Sequence, residues 1–428
     1  MKPSDFKHKK IGIWGYGITG KALTRFLTEW PISLSVLDRR ELSQEESISL
    51  QRHNIKFLFE NNLNDFLMHN EYIIPTPSID LSLYTHYSAK FISELDLFFL
   101  LWRKPIIAVT GSVGKTSIVH LLSQILPKYD IKCAVGGNIG TAMFDLIKEQ
   151  HTRDIALLEL SSFQLEHCHL FHPTLGIWTN FSENHLDRHK TIENYFLAKA
   201  KLFLHTSVRS RFILPKNIIK FLKLFNMYDS ICTQTTFLSE KPAAIYCPII
   251  QSLPKITFEQ NWYVILKILQ FLNKDFQKLL SCAHQLSMPA HRLEYLATIN
   301  NVLFYNDSKS TTPAATLSAV NALYQHPIIL ILGGVSKGIN RSFFIKQLKN
   351  RVKLIVCFGK ESQFLTDMTK KYEIPSYSYN TLDEATVGAY SCAQADDVVL
   401  FSPSGASFDL FKDYIERGDY FRKLVRLL

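Results

Sequence analysis

Four times along the chain, a short β-branched or aliphatic run passes into glycines or small polar residues and then into a stretch of helical period. The four are Ile11–Trp14 into Gly15–Gly20, Ile106–Val109 into Thr110–Thr116, Ile328–Leu332 into Gly333–Lys337, and Val398–Phe401 into Ser402–Ser407. Strand, loop and helix repeated in this order build α/β domains with mostly parallel sheets. Ligands of such sheets bind at the carboxyl ends of the strands, where these loops fall. The chain's 428 residues exceed one ordinary domain. We place boundaries before the Phe98–Trp102 run and at Met288–Pro289–Ala290, giving segments 1–92, 93–290 and 291–428. The second boundary follows a helical stretch, Trp262–Leu286, whereas residues 205–255 show scattered apolar runs without chemistry.

Composition narrows the function classes. At 46% hydrophobic and 20% charged, the chain reads as soluble and globular. No uncharged apolar stretch approaches the ~18 residues of a membrane span. The glycine-punctuated run after the basic N-terminus reads as a first strand, not a signal peptide. Seven cysteines stand singly with no C-x-x-C, which argues against structural zinc and disulfides and for a reducing cytoplasm. A net charge of +10 without any run of five basic residues argues against a nucleic-acid partner and fits anionic small substrates.

Gly15-Tyr-Gly17-Ile-Thr-Gly20 precedes the helical Lys21–Leu27, and a second strand, Leu34–Leu37, ends in Asp38. Read alone, this fits a dinucleotide, another nucleotide, or a tight turn without ligand. Thr110-Gly-Ser-Val-Gly-Lys-Thr116 resembles a phosphate-binding loop, with Lys115 for the β and γ oxygens and Thr116 for magnesium. Val109 stands where the first glycine of the full motif belongs. Glu159, ending the run Ile155–Leu158, suits either a magnesium ligand or a solvated acid. Asn180, Asn184, His185 and Arg188 cluster after Leu175–Trp178, open to a functional or a structural reading. His291-Arg292 opens the third segment, and Asn306-Asp-Ser-Lys309-Ser-Thr311 follows the strand-like Val302–Tyr305. Arg292 and Lys309 suit phosphate charge, and Asp307 suits a ribose, a base or Lys309 itself. In the last loop Ser407 is an N-cap candidate, and Phe408 and Phe411 read as core.

The order of these elements resembles the Mur ligases, most of all the branch that adds D-glutamate to UDP-N-acetylmuramoyl-L-alanine. The matching stretches are Gly15–Gly20, Val109–Ser117, Gly136–Gly140, Glu159–Glu166, Asn180–Arg188, Tyr195–Phe203, His291-Arg292, Asn306–Thr311, Gly333–Lys337 and Ser402–Gly418, covering essentially the whole chain. The resemblance implies three domains: a Rossmann-like one holding the UDP part of the substrate, a central P-loop-type one binding ATP, and a Rossmann-like C-terminal one that closes and binds the amino acid. It assigns Ile18 and Thr19 to the diphosphate, Asp38 and Arg39 to the uridine side, and Ser78 and Asn138 to the same substrate. ATP falls to Gly111, Ser112, Val113, Gly114, Lys115, Thr116 and Ser117, with Asn261 near the adenine and Arg292 and Asp307 on the nucleotide.

The implied reaction activates a carboxylate as an acyl phosphate, which the amine of D-glutamate then attacks. Lys115, His185, Lys199 and Lys309 are its catalytic candidates. Thr116, Glu159, His185 and a carbamylated Lys199 are the implied ligands of two magnesium ions. Lys201 neighbours Lys199, but the Tyr195-x-x-x-Lys199 spacing favours the latter. His185, Thr311, Lys337, Ser407 and Tyr414 are implied for D-glutamate. The resemblance also implies a cytoplasmic monomer. The chain departs from the family at Val113 (usually Asn), Ser78 (usually Gly), Gln260 (usually His), Val264 (usually Asn) and Thr312-Pro313. Rival readings are a same-fold ligase for another amino acid, a nucleotide-binding relative without catalysis, and a nicotinamide oxidoreductase.

Overall fold

The computed structural model describes residues 3–205, 207–254, 256–336 and 341–428. It divides into two compact units, residues 1–180 with 196–240, and residues 181–195 with 241–428. Among the described residues the strands form three sheets, two in the first unit and one in the second.

In the first unit, β1 (Lys10–Trp14), β2 (Ser33–Asp38), β3 (Lys56–Phe59) and β4 (Tyr72–Pro75) pair in parallel in the order β3-β2-β1-β4. Trp14, Leu37, Phe66, Ile73 and Leu81 pack into a core against this sheet. The helix Ile18–Leu27 starts earlier than its apolar period suggests, because the loop glycines let it begin inside the turn. A Cβ on Gly20 would strike the Gly15 carbonyl oxygen, so the helix approaches the loop this closely only with glycine there.

The second sheet comprises β5 (Ile106–Thr110), β6 (Cys133–Gly137), β7 (Ile155–Glu159), β8 (Leu175–Trp178), β9 (Arg211–Pro215) and β10 (Thr235–Leu238). Its order is β10-β9-β8-β5-β7-β6, parallel throughout. The central β5, β7 and β8 are buried along their whole length, as strands covered on both faces must be. The chemically silent stretch after residue 205 thus supplies β9 and the edge strand β10. Asp96, buried in the helix Glu94–Leu101, fixes a loop of this unit. Its carboxylate accepts the backbone N–H groups of His169, Leu170 and Phe171 at 2.7, 2.9 and 2.9 Å. Asp96→Ala orphans all three donors, and the expected loss is about 3 kcal/mol or more, read as a lower midpoint of urea unfolding.

In the second unit, β11 (Glu294–Ile299), β12 (Val302–Asn306), β13 (Ile328–Gly333), β14 (Leu354–Phe358), β15 (Ser376–Tyr379) and β16 (Val398–Phe401) take the order β11-β12-β16-β13-β14-β15. All pairs are parallel except the hairpin β11–β12. Its turn residues Asn300 and Asn301 both have positive φ, as a two-residue hairpin requires. One apolar layer, including Phe304, Ile331, Phe401 and Phe421, covers one face, and another, including Leu330, Ile345, Leu365 and Leu400, covers the other.

Three local expectations are corrected here. The stretch Trp262–Leu286 is two helices, Glu259–Phe271 and Gln277–Cys282, broken where Asn273 takes a left-handed backbone. Ser407 does not cap a helix. The last helix is Tyr414–Arg426, and its cap is Asp413, whose carboxylate accepts the Ile415 and Glu416 N–H groups at 2.8 Å. Phe408 is 76% exposed, because the chain turns after Ser407 before the helix can draw that ring inward.

Candidate active site

A cavity of about 880 Å³ in the first unit lies at the carboxyl ends of β1 and β2, against the loop after β6. All six residues assigned to the UDP substrate line it: Ile18, Thr19, Asp38, Arg39, Ser78 and Asn138. Gly17 opens the helix Ile18–Leu27 with no side-chain cap, which suits a diphosphate at its first turn. Asp38 also shapes the site, accepting the N–H of Tyr16 at 2.5 Å and that of Arg40 at 3.0 Å. Arg40, which sequence reasoning passed over, donates to the Tyr16 carbonyl at 2.8 Å and pairs with Glu46 at 2.8 and 2.9 Å. Arg40, followed by Lys21, holds the Glu46 carboxyl well below the usual carboxylate range.

Gln164 is a second residue the sequence did not single out. It lines the cavity and donates from Nε2 to Glu94 Oε1 at 3.0 Å, while Glu94 Oε2 has no hydrogen-bond partner. Burial pushes the Glu94 carboxyl up to about 7, with the Gln164 bond opposing. Between the ordinary 4.5 and about 7 the unfolded chain therefore ionises first, and stability falls as pH rises through that window. The expected loss is roughly 3 kcal/mol, and Glu94→Gln should flatten it in unfolding curves taken from pH 4.5 to pH 8.

The phosphate loop follows β5. Gly114, at φ +86°, caps the helix Lys115–Ile125 in a left-handed conformation that glycine adopts freely. Asn180 clamps the loop from its side, accepting the Val113 N–H and donating to the Val113 carbonyl, both at 2.9 Å. Lys115 lies back on its own loop, donating to the carbonyls of Gly111 at 2.8 Å and Ser112 at 3.4 Å. Thr116 and Ser117 are buried in the first turn.

Beside this loop Lys199, only 1% exposed, donates to Thr110 Oγ1 at 3.1 Å and the Gly111 carbonyl at 3.0 Å. Burial, reinforced by Lys115, holds its pKa well below the ordinary lysine value, and Glu159 opposes this. Lys201 is not among the charges that shift Lys199. Glu159, buried at the end of β7, accepts from Asn138 Nδ2 at 2.9 Å through Oε1, whereas Oε2 has no partner. A buried carboxylate oxygen left bare beside a phosphate loop fits a cation. Among the described residues no three His, Cys, Asp or Glu side chains cluster to hold a metal by themselves. A hydroxyl such as Thr116 and phosphate oxygens would have to complete the shell, as magnesium sites commonly do.

The second unit carries the remaining candidates. His185 has a left-handed backbone, φ +54°, at the start of the short helix Leu186–His189, with its ring 6.4 Å from that of Tyr195. Asn261 is buried and donates to Thr257 Oγ1 at 2.8 Å. Arg292 sits between His291 and Leu293, which both have positive φ. Asp307 accepts from Ser310 Oγ, from Ser402 Oγ at 2.8 Å and from the Leu293 N–H at 3.1 Å. Burial pushes its carboxyl up to about 6, against the pull of those bonds and of Arg292. Lys309 Nζ lies 3.5 Å from the centroid of the Tyr414 ring, a cation–π contact. Thr311 is half-buried and Ser407 buried, and Lys337 lies outside the described residues.

The sequence matches the Mur ligase middle domain over residues 109–251 and the Mur ligase glutamate ligase domain over residues 291–405. A UDP-N-acetylmuramoylalanine–D-glutamate ligase of Pseudothermotoga lettingae is 32% identical, over 97% of each chain. The chain belongs to the Mur ligase family. A ligase of the same name from Caldanaerobacter subterraneus is 30% identical over 98% of this chain and 99% of its own. The fold is similar to that of the MurF ligase from Thermotoga maritima in complex with ADP, with a TM-score of 0.58 at 15% identity over 92% of this chain and 96% of that one.

The structure accommodates several of this Mur ligase's departures from its family. At position 113 the loop is held through backbone groups, so valine leaves the clamp by Asn180 intact. Ser78 does not have a positive φ, so no backbone strain attends the loss of glycine there. Thr312 caps the helix Pro313–Ala322, accepting from the Ala315 N–H, with proline in the first turn where its missing N–H costs nothing.

Proposed function

We propose that this Mur ligase joins D-glutamate to UDP-N-acetylmuramoyl-L-alanine with cleavage of ATP, a step of peptidoglycan precursor synthesis. The observation that carries this reading is the phosphate loop with Lys115 folded on it, the buried Lys199 beside it and the bare Glu159 oxygen at the next strand end. The D-glutamate branch is supported by relatives of that name matching over nearly the whole chain. Lys309, a catalytic candidate, lies over the ring of Tyr414, a D-glutamate candidate, so two assigned groups stand together.

In the first step the substrate carboxylate attacks the γ-phosphorus, the bond to the β-γ bridging oxygen breaks, and ADP leaves. The D-glutamate amine then attacks the acyl-phosphate carbonyl, inorganic phosphate leaves the tetrahedral intermediate, and the amine gives up a proton. Making the first bond requires that negative charge on the phosphoryl oxygens be neutralised. The Lys115 side chain and the N–H groups of Gly111, Gly114, Lys115 and Thr116 take that role, those of Ser112 and Val113 being held by Asn180. Arg292, Asp307 and Lys309 are assigned to the nucleotide and phosphates. Two magnesium ions, held by Thr116, Glu159, His185 and a Lys199 carbamate, would supply further positive charge. Carbamylation makes Lys199 an anion: its amine nitrogen bonds the carbon of carbon dioxide and releases a proton.

Segment 1–92 is assigned to the UDP substrate, 93–290 to ATP and 291–428 to the amino acid, in a cytoplasmic monomer. No helix among the described residues is long and apolar enough to cross a membrane. The test supplies the purified protein with ATP, magnesium, bicarbonate and UDP-N-acetylmuramoyl-L-alanine together with D-glutamate, L-glutamate, L-alanine or diaminopimelate in turn. A new amide product is expected with D-glutamate alone. Product with another amino acid would retain the ligase and overturn the specificity.

A further inference from the structure

We propose that Arg417 is a positioning residue for the amino acid: its buried guanidinium ties together the loops after β12, β13 and β16 and lends a positive charge, paired directly with no carboxylate among the described residues, to an acidic amino acid bound beside them. The inference rests on the D-glutamate reading above.

Arg417 is 0% exposed, in the first turn of the helix Tyr414–Arg426. Its fork reaches two loops directly. Nε donates to Ser308 Oγ at 3.1 Å, Nη2 to the Ser308 carbonyl at 2.8 Å, and Nη1 to the Gly405 carbonyl at 3.1 Å. The third loop passes so close that a Cβ on Gly334 would lie 2.9 Å from Nη1. Ser308 Oγ in turn donates to the Tyr414 carbonyl at 2.8 Å, closing a ring from loop to helix. The described D-glutamate candidates of these elements lie on this ring or within three residues of it: Tyr414 belongs to it, Ser407 is two residues beyond Gly405, and Thr311 three beyond Ser308. Lys309 adjoins Ser308 directly.

The charge is the second half of the argument. Buried guanidiniums are ordinarily paired, as Arg341 is with Glu361 at 3.1 Å. Arg417 bonds only carbonyl and hydroxyl oxygens, and among the described residues no carboxylate pairs with it. Asp409 acts on it only from farther away. Burial lowers its pKa to about 10, which leaves it charged at neutral pH. Such a cation beside the D-glutamate candidates favours a dicarboxylate over its neutral amide.

The test compares the wild type with Arg417→Met, Arg417→Lys and Ser308→Ala. KM is measured for all three substrates, together with the ratio of kcat/KM for D-glutamate to that for D-glutamine. For Arg417→Met the D-glutamate KM should rise, and the ratio fall, roughly tenfold or more, as loss of one nearby charge requires. KM for the UDP substrate should stay within about twofold, below the scale of one lost interaction. KM for ATP is not the control, because Ser308, which Arg417 holds, lies between Asp307 and Lys309. Arg417→Lys keeps the charge and should keep most of the ratio while raising the D-glutamate KM. It carries the test if the methionine variant does not fold, and collapse of its ratio would overturn the charge argument. Ser308→Ala should raise the D-glutamate KM and leave that for the UDP substrate unchanged, and an unchanged D-glutamate value would overturn the loop tie. Methionine with an unchanged ratio, in an enzyme whose wild type requires D-glutamate, would sink this inference only. A wild type that accepts a neutral amino acid instead would sink the function reading with it.

Discussion

Lys115→Ala is expected to lower turnover at least about a thousandfold while leaving the protein folded. The loop it belongs to does not depend on its side chain for shape. Gly114 sets the left-handed turn, and Asn180 holds Val113 by both its N–H and its carbonyl. Lys115 instead bonds the Gly111 and Ser112 carbonyls, acceptors that triphosphate oxygens would replace with a charge-assisted bond. Phosphate release and far-ultraviolet circular dichroism, taken on the same preparation, separate loss of chemistry from loss of fold. A folded alanine variant with most of the wild-type rate would refute the assignment of the phosphate loop.

The second large effect concerns Lys199. Alanine at this position should cost about a hundredfold to a thousandfold in kcat, the scale of losing a group that holds transition-state charge. Arginine should not restore it, because a guanidinium stays cationic beside Lys115 and forms no carbamate. Lys201→Ala should remain active, since among the two lysines it is Lys199 that bonds Thr110 and Gly111. Wild-type protein stripped of carbon dioxide should lose activity and regain it with bicarbonate, and intact mass should rise by one carbon dioxide per chain. Full activity of Lys199→Ala would remove the carbamate from the mechanism and leave Lys199 a structural tie between β5 and its own helix.

The parallel α/β architecture was legible from local pattern. At β1 and β5, strand, glycine loop and helix follow each other within a dozen residues, whereas the helices after β13 and β16 start later, at Ser342 and Tyr414. Strands β1, β5, β8, β12, β13 and β16 all lie within a residue of where aliphatic runs placed them. Long-range partners were not legible. Asn180 is 67 residues from Val113, Glu94 is 70 from Gln164 and Arg417 is 109 from Ser308, so only folding brings them together. Arg417 and Glu94 also look unremarkable in sequence, since charged residues are common on helices and nothing local marks these two as buried. Ser407 misled for a related reason. A serine before an aromatic run resembles a cap, but Asp413, six residues on, makes the capping bonds. The cavity at the ends of β1 and β2 was legible in part: local pattern placed Gly15–Gly20 and Asp38 at strand ends, whereas Ser78 and Asn138, after β4 and β6, came only from the family resemblance.

The most direct test of the central claim is inorganic phosphate release by folded protein supplied with bicarbonate, magnesium, ATP, UDP-N-acetylmuramoyl-L-alanine and D-glutamate, with each substrate omitted in turn. The account expects sustained release only in the complete mixture, with one phosphate formed per amide bond. Release that ignores the amino acid, or no release at all from the complete mixture, would contradict it.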